Sequence, residues 1–179
     1  MGTVLLDAVV YTDFGQFDLA WAKDGGFNGD VDRSFRGQVN GLVGAADPGG
    51  VYISLSRRFG GSPMRIVLLD SAPEPPPIEY EDVVEVSVRI PAGAEVRWIT
   101  WFREVSGPLG GLGPGDYRVR VSAKGRDAAQ GMRGVAAEGL VDAYLVELWP
   151  AGHGPDEILR VGSKDAQYWH REWGSRRQV

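Results

Sequence analysis

The feature that most constrains this chain is alternation. "EVSVRIP" puts Val86, Val88 and Ile90 on one face of an extended segment, with Ser87 and Arg89 on the other. "DYRVRVS" repeats the pattern, with Tyr117, Val119 and Val121 opposite Arg118 and Arg120. "FDLAW" aligns Phe17, Leu19 and Trp21, and "VYISLSR" aligns Val51, Ile53 and Leu55. A two-residue period is that of a strand. One apolar and one polar face predicts antiparallel sheets with the polar side in water. "RIVLLD" and "AYLVELW" are nearly apolar on both faces and rich in branched or aromatic residues, as central strands are. "VRWITWF" sets Trp98 and Phe102 on one face and Ile99 and Trp101 on the other.

Turn chemistry separates these runs: "ADPGG", "FGGSP", "PAG" and "GPLGGLGPGD". With 26 Gly and 11 Pro, the first 150 residues have little room for long helices. Short strands punctuated in this way predict an all-β fold, an antiparallel two-sheet β-sandwich. "APEPPP" reads as a stiff crossover between two halves of one domain. Residues 124–139 are small, polar and glycine-broken, and read as a long mobile loop joining an antiparallel strand pair. The expected organisation is one domain over residues 1–179, with a core in 3–150 and a docking tail in 155–179.

The tail, "GSKDAQYWHREWG", changes period. Ser163 is a helix cap, Asp165 suits the first turn, and Gly174 is a stop, predicting a helix from about Lys164 to Trp173. Trp169 and Trp173 stand four apart and share a face. Fewer than three turns do not hold in water alone, so this pair is expected to dock the helix on the sandwich, with His170 and Arg171 facing outward or capping strand ends.

The catalytic inventory is thin. Cysteine is absent, which removes disulfides, thiol catalysis and thiolate metal sites and fits a cytoplasmic protein. The start of the chain lacks the pattern of a signal peptide, and no apolar run reaches the roughly 18 residues of a membrane span. "GGLGPGD" feeds a strand rather than a helix, so it reads as a hairpin turn and not a phosphate loop. His153 and His170 lack the spacing of a zinc site and the partners of a hydrolase. "FNGDVD" begins like a calcium loop, but Arg33 stands where glycine is needed and Val39 where the bidentate glutamate belongs. No cofactor, no metal and no catalytic residue is expected.

Charge leaves two readings. The net charge of −5 lacks the basic footprint that nucleic acid requires, and it either keeps the chain soluble or meets a basic protein. "EYEDVVE" supplies Glu79, Glu81, Asp82 and Glu85 as a candidate acidic patch for that partner. In a different class, aromatic residues on a β-sandwich stack on sugars or small ligands, with or without hydrolysis. Trp101 and Trp149 are the candidates for such stacking.

Taken in order, "YTDFGQFDLAW", "GVYISLS", "LGPGDYRVRV" and "VDAYLVELW" resemble the bacterial competence protein J family over about residues 5–150. The resemblance rests on strand order and a "GDY" turn. It implies a small acidic intracellular protein of the inhibitor or immunity type, whose role is to block a partner DNA-entry nuclease, and it carries over no catalytic residue. The tail has no counterpart in it.

If the tail docks on the sandwich, removing residues 163–179 exposes the surface beneath a Trp pair. Such burial contributes several kcal/mol, and a chain of this size loses roughly 2–4 °C per kcal/mol. The truncated chain is therefore expected to melt about 10 °C lower or more in a thermal scan. An unchanged melting temperature would assign the tail to a partner instead.

Overall fold

The computed structural model describes residues 1–101, 104–130 and 140–177. In chain order the strands are β1 (Gly2–Asp13), β2 (Gln16–Ala20), β3 (Val43–Gly44), β4 (Gly50–Ser54), β5 (Phe59–Leu69), β6 (Asp82–Ile90), β7 (Arg97–Thr100), β8 (Ser106–Pro108), β9 (Gly115–Lys124), β10 (Ala143–Pro150) and β11 (Glu157–Arg160). Short helices α1 (Val31–Phe35) and α2 (Arg126–Gln130) interrupt them, and α3 (Lys164–Glu172) follows the last strand. Six strands form one sheet in the order β1-β5-β10-β9-β6-β11, and five form the other in the order β3-β4-β2-β7-β8. All neighbours are antiparallel except β5 and β10, which run parallel with Tyr144 opposite Met64. The fold is the expected two-sheet, mostly antiparallel β structure with a short C-terminal helix.

The alternating residues meet between the sheets. Val84, Val86, Val88 and Ile90 of β6, Tyr117, Val119 and Val121 of β9, and Val146 and Leu148 of β10 pack in one core with Phe17, Leu19, Val51 and Ile53 of the smaller sheet. Each such buried side chain contributes about 1.5–3 kcal/mol through removal from water. Trp98 extends this layer, its ring stacked 6.1 Å from Phe17. Phe102 lies outside the described residues.

The outer face of the larger sheet departs from expectation. Arg118 and Arg120 were expected in water, yet each is only 7% exposed. Both clasp Glu85: Arg118 Nε donates to its Oε2 at 3.0 Å and Arg120 Nε to its Oε1 at 2.8 Å. Two segments cover them. The proline tract joins β5 to β6 across the intervening β10 and β9, and the Glu74 carbonyl accepts from Arg120 at 2.8 Å. Residues 151–160 cover the other side, where the Pro155 carbonyl accepts from Arg118 at 2.6 Å, and then add β11 to the sheet edge. Arg160 of β11 donates to the Pro77 and Tyr80 carbonyls, tying the two covers together.

Two loop readings change as well. The glycine-rich run 109–114 is not a hairpin. It carries the chain from β8 in one sheet to β9 in the other, and Leu109 and Leu112 plug into the core on the way. Of the expected mobile loop, residues 126–130 form α2, while 131–139 lie outside the described residues. The flanking pair is antiparallel as expected, with Ala143 opposite Lys124. Gly125 turns the chain into α2 at φ 74°, where a Cβ would meet the Val141 carbonyl oxygen at 1.9 Å.

Helix α3 forms where its capping residues placed it, because its free N–H groups are accounted for. Ser163 Oγ accepts from Ala166 N, and the Asp127 carboxylate of α2 accepts from Lys164 N and Asp165 N. The same Ser163 hydroxyl donates to Asp82 Oδ2 at 2.6 Å, anchoring the helix start to β6. Asp165 pairs with Arg126, whose Nη2 stands 2.6 Å from its Oδ2, with both side chains at most 2% exposed.

Removing one member of such a pair strands the other charge in the interior. Arg126→Met is expected to cost about 3–5 kcal/mol in urea unfolding. The double variant Arg126→Met, Asp165→Leu should recover most of that loss, since a well-packed apolar pair replaces a buried ion pair at little net cost. A near-neutral single variant would show that the pair does not hold the tail.

Candidate binding cleft

The larger sheet spends its outer face on the arginine clasp. The smaller sheet keeps a cleft. The register that buries Phe17 and Leu19 turns Gln16 and Asp18 of β2 to the outer face, beside Tyr52 and Ser54 of β4 and Ile99 of β7. Residues 21–30 fold over this face and bring Phe27 onto Tyr52, with ring centroids 4.3 Å apart at 18°. Helix α3 adds Trp173, which packs on Phe27, Phe35 and Tyr52 within 5.8 Å, and Trp169, 4.3 Å from Trp173. On the opposite side Phe14, at φ 57°, packs 4.7 Å from Trp101.

Two cavities open between these walls. The larger, about 660 Å³, lies between Phe14 and Trp101 on one side and Tyr168 and Trp169 on the other, with Asp165 and Ser56 in its lining. The smaller, about 420 Å³, is lined by Asp18, Asp24, Phe27, Ile99 and Trp101. Gln16, Phe27 and Trp101 belong to both. Asp18 is 1% exposed and accepts from Phe27 N at 3.0 Å and from Gln16 Nε2 at 2.6 Å. Burial raises the Tyr52 phenol well above its ordinary range. The Ser54 hydrogen bond opposes that rise, and the Asp18 charge adds to it.

The tail helix closes one end of the cleft, and its docking is tight. A side chain at Gly41 would stand 1.9 Å from the Trp169 carbonyl oxygen. Gly41 N donates to His170 Nδ1 at 3.0 Å, which leaves the ring proton on Nε2 in the neutral form. His170 therefore turns inward, contrary to the outward reading, because the helix end is buried under the 38–42 segment. Arg171 does face out, 5.3 Å over the Tyr168 ring. Asp156 completes this end, its Oδ2 accepting from Val39 N, Asn40 N and Asn40 Nδ2.

The four carboxylates of "EYEDVVE" are not gathered on one surface. Glu79 is exposed. Glu81 is half-buried and accepts from Gly125 N and Arg126 N. Asp82 is 1% exposed and serves Gly162 N, Ser163 N and the Ser163 hydroxyl. Glu85 is the acceptor of the arginine clasp. Trp149 is buried, with Arg120 5.5 Å over its ring, whereas Trp101 lines both cavities. The acids of "FNGDVD" serve local structure, Asp30 capping α1 through Arg33 N at 3.0 Å. Among the described residues no group of three or more His, Asp or Glu could hold a metal ion, and no helix is long and apolar enough to cross a membrane. Sequence reasoning missed Asp18, Phe14 and Phe27. The available signal was a carboxylate, Asp18, within "FDLAW", a strand with neighbours on both sides.

No protein-family model and no curated protein sequence matches the chain. Two solved structures share its fold. One is ComJ from Bacillus subtilis, an inhibitor of the DNA degrading activity of NucA. It is 15% identical with a TM-score of 0.55, and the match covers 84% of this chain and 99% of that one. The other is the protein described as crocagin biosynthetic gene J, 17% identical with a TM-score of 0.57, matched over 85% of this chain and 99% of that one.

His170 makes the docked tail sensitive to acid. Burial holds its imidazole below the ordinary value of 6.5, outweighing the pull of Asp82 and Asp156, while Arg126 reinforces the depression. In that window the unfolded chain binds a proton that the folded chain resists. The stability this site contributes is therefore present above 6.5 and lost as pH falls towards the folded value. Urea midpoints measured between about pH 7 and about pH 5 should fall, and His170→Gln, which keeps an acceptor for Gly41 N but does not titrate, should flatten the slope. An unchanged slope in the variant would place the acid sensitivity elsewhere.

Proposed function

We propose that this chain is a protein-binding module of the inhibitor type, acting on a basic partner such as a nuclease by occupying it rather than by turning over a substrate. The observation that carries the reading is the fold. It matches ComJ, an inhibitor of a DNA-degrading activity, over 99% of that protein's length. The charge supports it, since a net −5 and a pI near 5.1 steer a basic protein towards the surface and speed encounter. Of the acidic patch read from the sequence, Glu79 is the member available to such a partner without breaking internal hydrogen bonds.

A second reading has one observation in its favour. Trp101 lines an aromatic cleft of the size that small ligands occupy. A sugar or other flat ligand stacking there would quench Trp101 fluorescence saturably, and Trp101→Phe would abolish that response.

The principal reading is tested by titrating the chain against a purified basic DNA-degrading nuclease from the same organism. DNA cleavage is expected to fall to zero at stoichiometric addition, with a complex on size exclusion that weakens steeply as salt rises. Cleavage that continues unchanged at large excess, with no complex at low salt, would overturn it for that enzyme class.

A further inference from the structure

Among the described residues four strands end the two sheets, and they are not alike. β3, β8 and β11 are two, three and four residues long. β8 also carries Pro108, which has no N–H to offer, and β11 breaks register between Ile158 and Arg160. β1 is twelve residues long and ends the larger sheet beside β5. Among the described residues its backbone hydrogen-bonds to β5 alone, so the N–H and C=O groups of every second residue point outward without a strand to meet them. The strand lacks the usual guards of an edge. It holds no proline and no lysine, and its one bulge lies at Leu5, near its start. From Leu6 to Asp13 its pairing is regular. Its mid-strand charge, Asp7, is taken up by Arg65 of β5. Val9 and Tyr11 are exposed on one face, both lying over Gly61, where a Cβ would stand 2.7 Å from Val9 Cγ1 and 3.0 Å from Tyr11 Cε1.

We propose that β1 is a homodimer seam, on which the β1 of a second copy of this chain pairs antiparallel about a two-fold axis. The two larger sheets then become one continuous sheet. An open strand edge calls for another strand, and a two-fold pairing offers each copy the same row of donors and acceptors that it presents. The residues of β1 also select the register, because paired residues must share a face. Centring on Val10 would set Asp7 against Asp13 of the second copy, and centring on Asp7 would set that acid against itself. Centring on Ala8 would bring Tyr11 onto the Leu5 bulge. With Val9 on the axis, Val9 meets Val9, Asp7 meets Tyr11 and Ala8 meets Val10, and the ladder runs unbroken from Leu6 to Thr12. That is the longest regular ladder that keeps the acids apart. The net −5 of each copy does not forbid it, since charges beyond about 8 Å are screened at physiological salt. So short a seam lies at the small end of interfaces, and the dimer is expected in the micromolar range. The seam is independent of the inhibitor reading, and salt separates the two: it weakens a complex with a basic partner but not this one.

The test is sedimentation equilibrium of the full chain over a wide concentration range, with oxidative cross-linking as the geometric readout. A monomer–dimer equilibrium is expected, unweakened by added salt. Because the chain has no cysteine, Val9→Cys introduces its single thiol. On the axis the two copies of that position have Cα atoms about 4.5–5.5 Å apart, within disulfide reach, so mild oxidation should give a covalent dimer. Tyr11→Cys should not cross-link, because Tyr11 faces Asp7 in this register and the two copies of position 11 stand more than roughly 10 Å apart. Tyr11→Glu sets an acid against Asp7 at both ends of the seam and should raise the dissociation constant about tenfold. Tyr11→Lys meets Asp7 with opposite charge and should leave the dimer intact. Both positions are exposed, so the variants are expected to fold. Should one not fold, hydrogen exchange on the unaltered chain decides, with β1 amides gaining protection as concentration rises. A chain that stays monomeric at its highest soluble concentration, equal cross-linking of the two thiol variants, or equal weakening by Tyr11→Glu and Tyr11→Lys would overturn the seam. Protection of β1 that arises only when a nuclease is added would also overturn it, assigning the edge to a strand of that partner and leaving the inhibitor reading standing.

Discussion

The arrangement of this protein depends on one buried contact between segments far apart in sequence, the pair of Arg126 and Asp165. Arg126, the first residue of α2, donates to the Ser54 carbonyl of β4 at 2.7 Å, lies 6.0 Å over the Tyr144 ring of β10, and meets Asp165 on the tail helix. One guanidinium thus joins both sheets and α3. A planar group with five donors can satisfy three directions at once, as a lysine ammonium at this depth could not. Such a pair does not by itself make a fold more stable than apolar packing would. Its effect is to permit one docking geometry, because any other leaves a charge stranded in the interior.

That geometry divides the surface. The outer face of the larger sheet is closed by Glu85 between Arg118 and Arg120, with the proline tract and residues 151–160 laid over it. Burial pushes the nearby Glu147 carboxyl above its usual range, with the Arg120 guanidinium working against that shift. The outer face of the smaller sheet is only partly closed, because α3 covers one end and the segment around Phe27 another, leaving the aromatic cleft. The larger sheet therefore presents a closed polar network, and the smaller an open, ring-lined cleft.

The functional reading joins a shared fold with a surface of matching charge. ComJ and this chain have 15% of their residues in common across the match, so what they share is the path of the backbone. Side chains at the cleft are this chain's own, with the inward-facing Asp18 carboxylate set among Phe27, Ile99 and Trp101.

Much of the fold was legible because the physics that sets it is local. A two-residue apolar period can bury only one way, and Val86, Val88, Val119 and Val121 went to the core accordingly. A serine ahead of a charged run can cap a helix through the N–H three residues on, and Ser163 does so here once the helix is docked. What the sequence by itself determined was therefore that the alternating and the wholly apolar runs are strands, where the tail helix begins, and that its Trp pair must be covered. Only the tertiary structure decided which charges are surface and which are interior. Asp82, Glu85, Arg118 and Arg120 look like solvated strand residues until distant segments fold over them, and Asp18 becomes a cleft residue only when Phe27 and Trp101 close around it. Burial of a polar group depends on what arrives from elsewhere in the chain, and a period read along one strand carries no information about that.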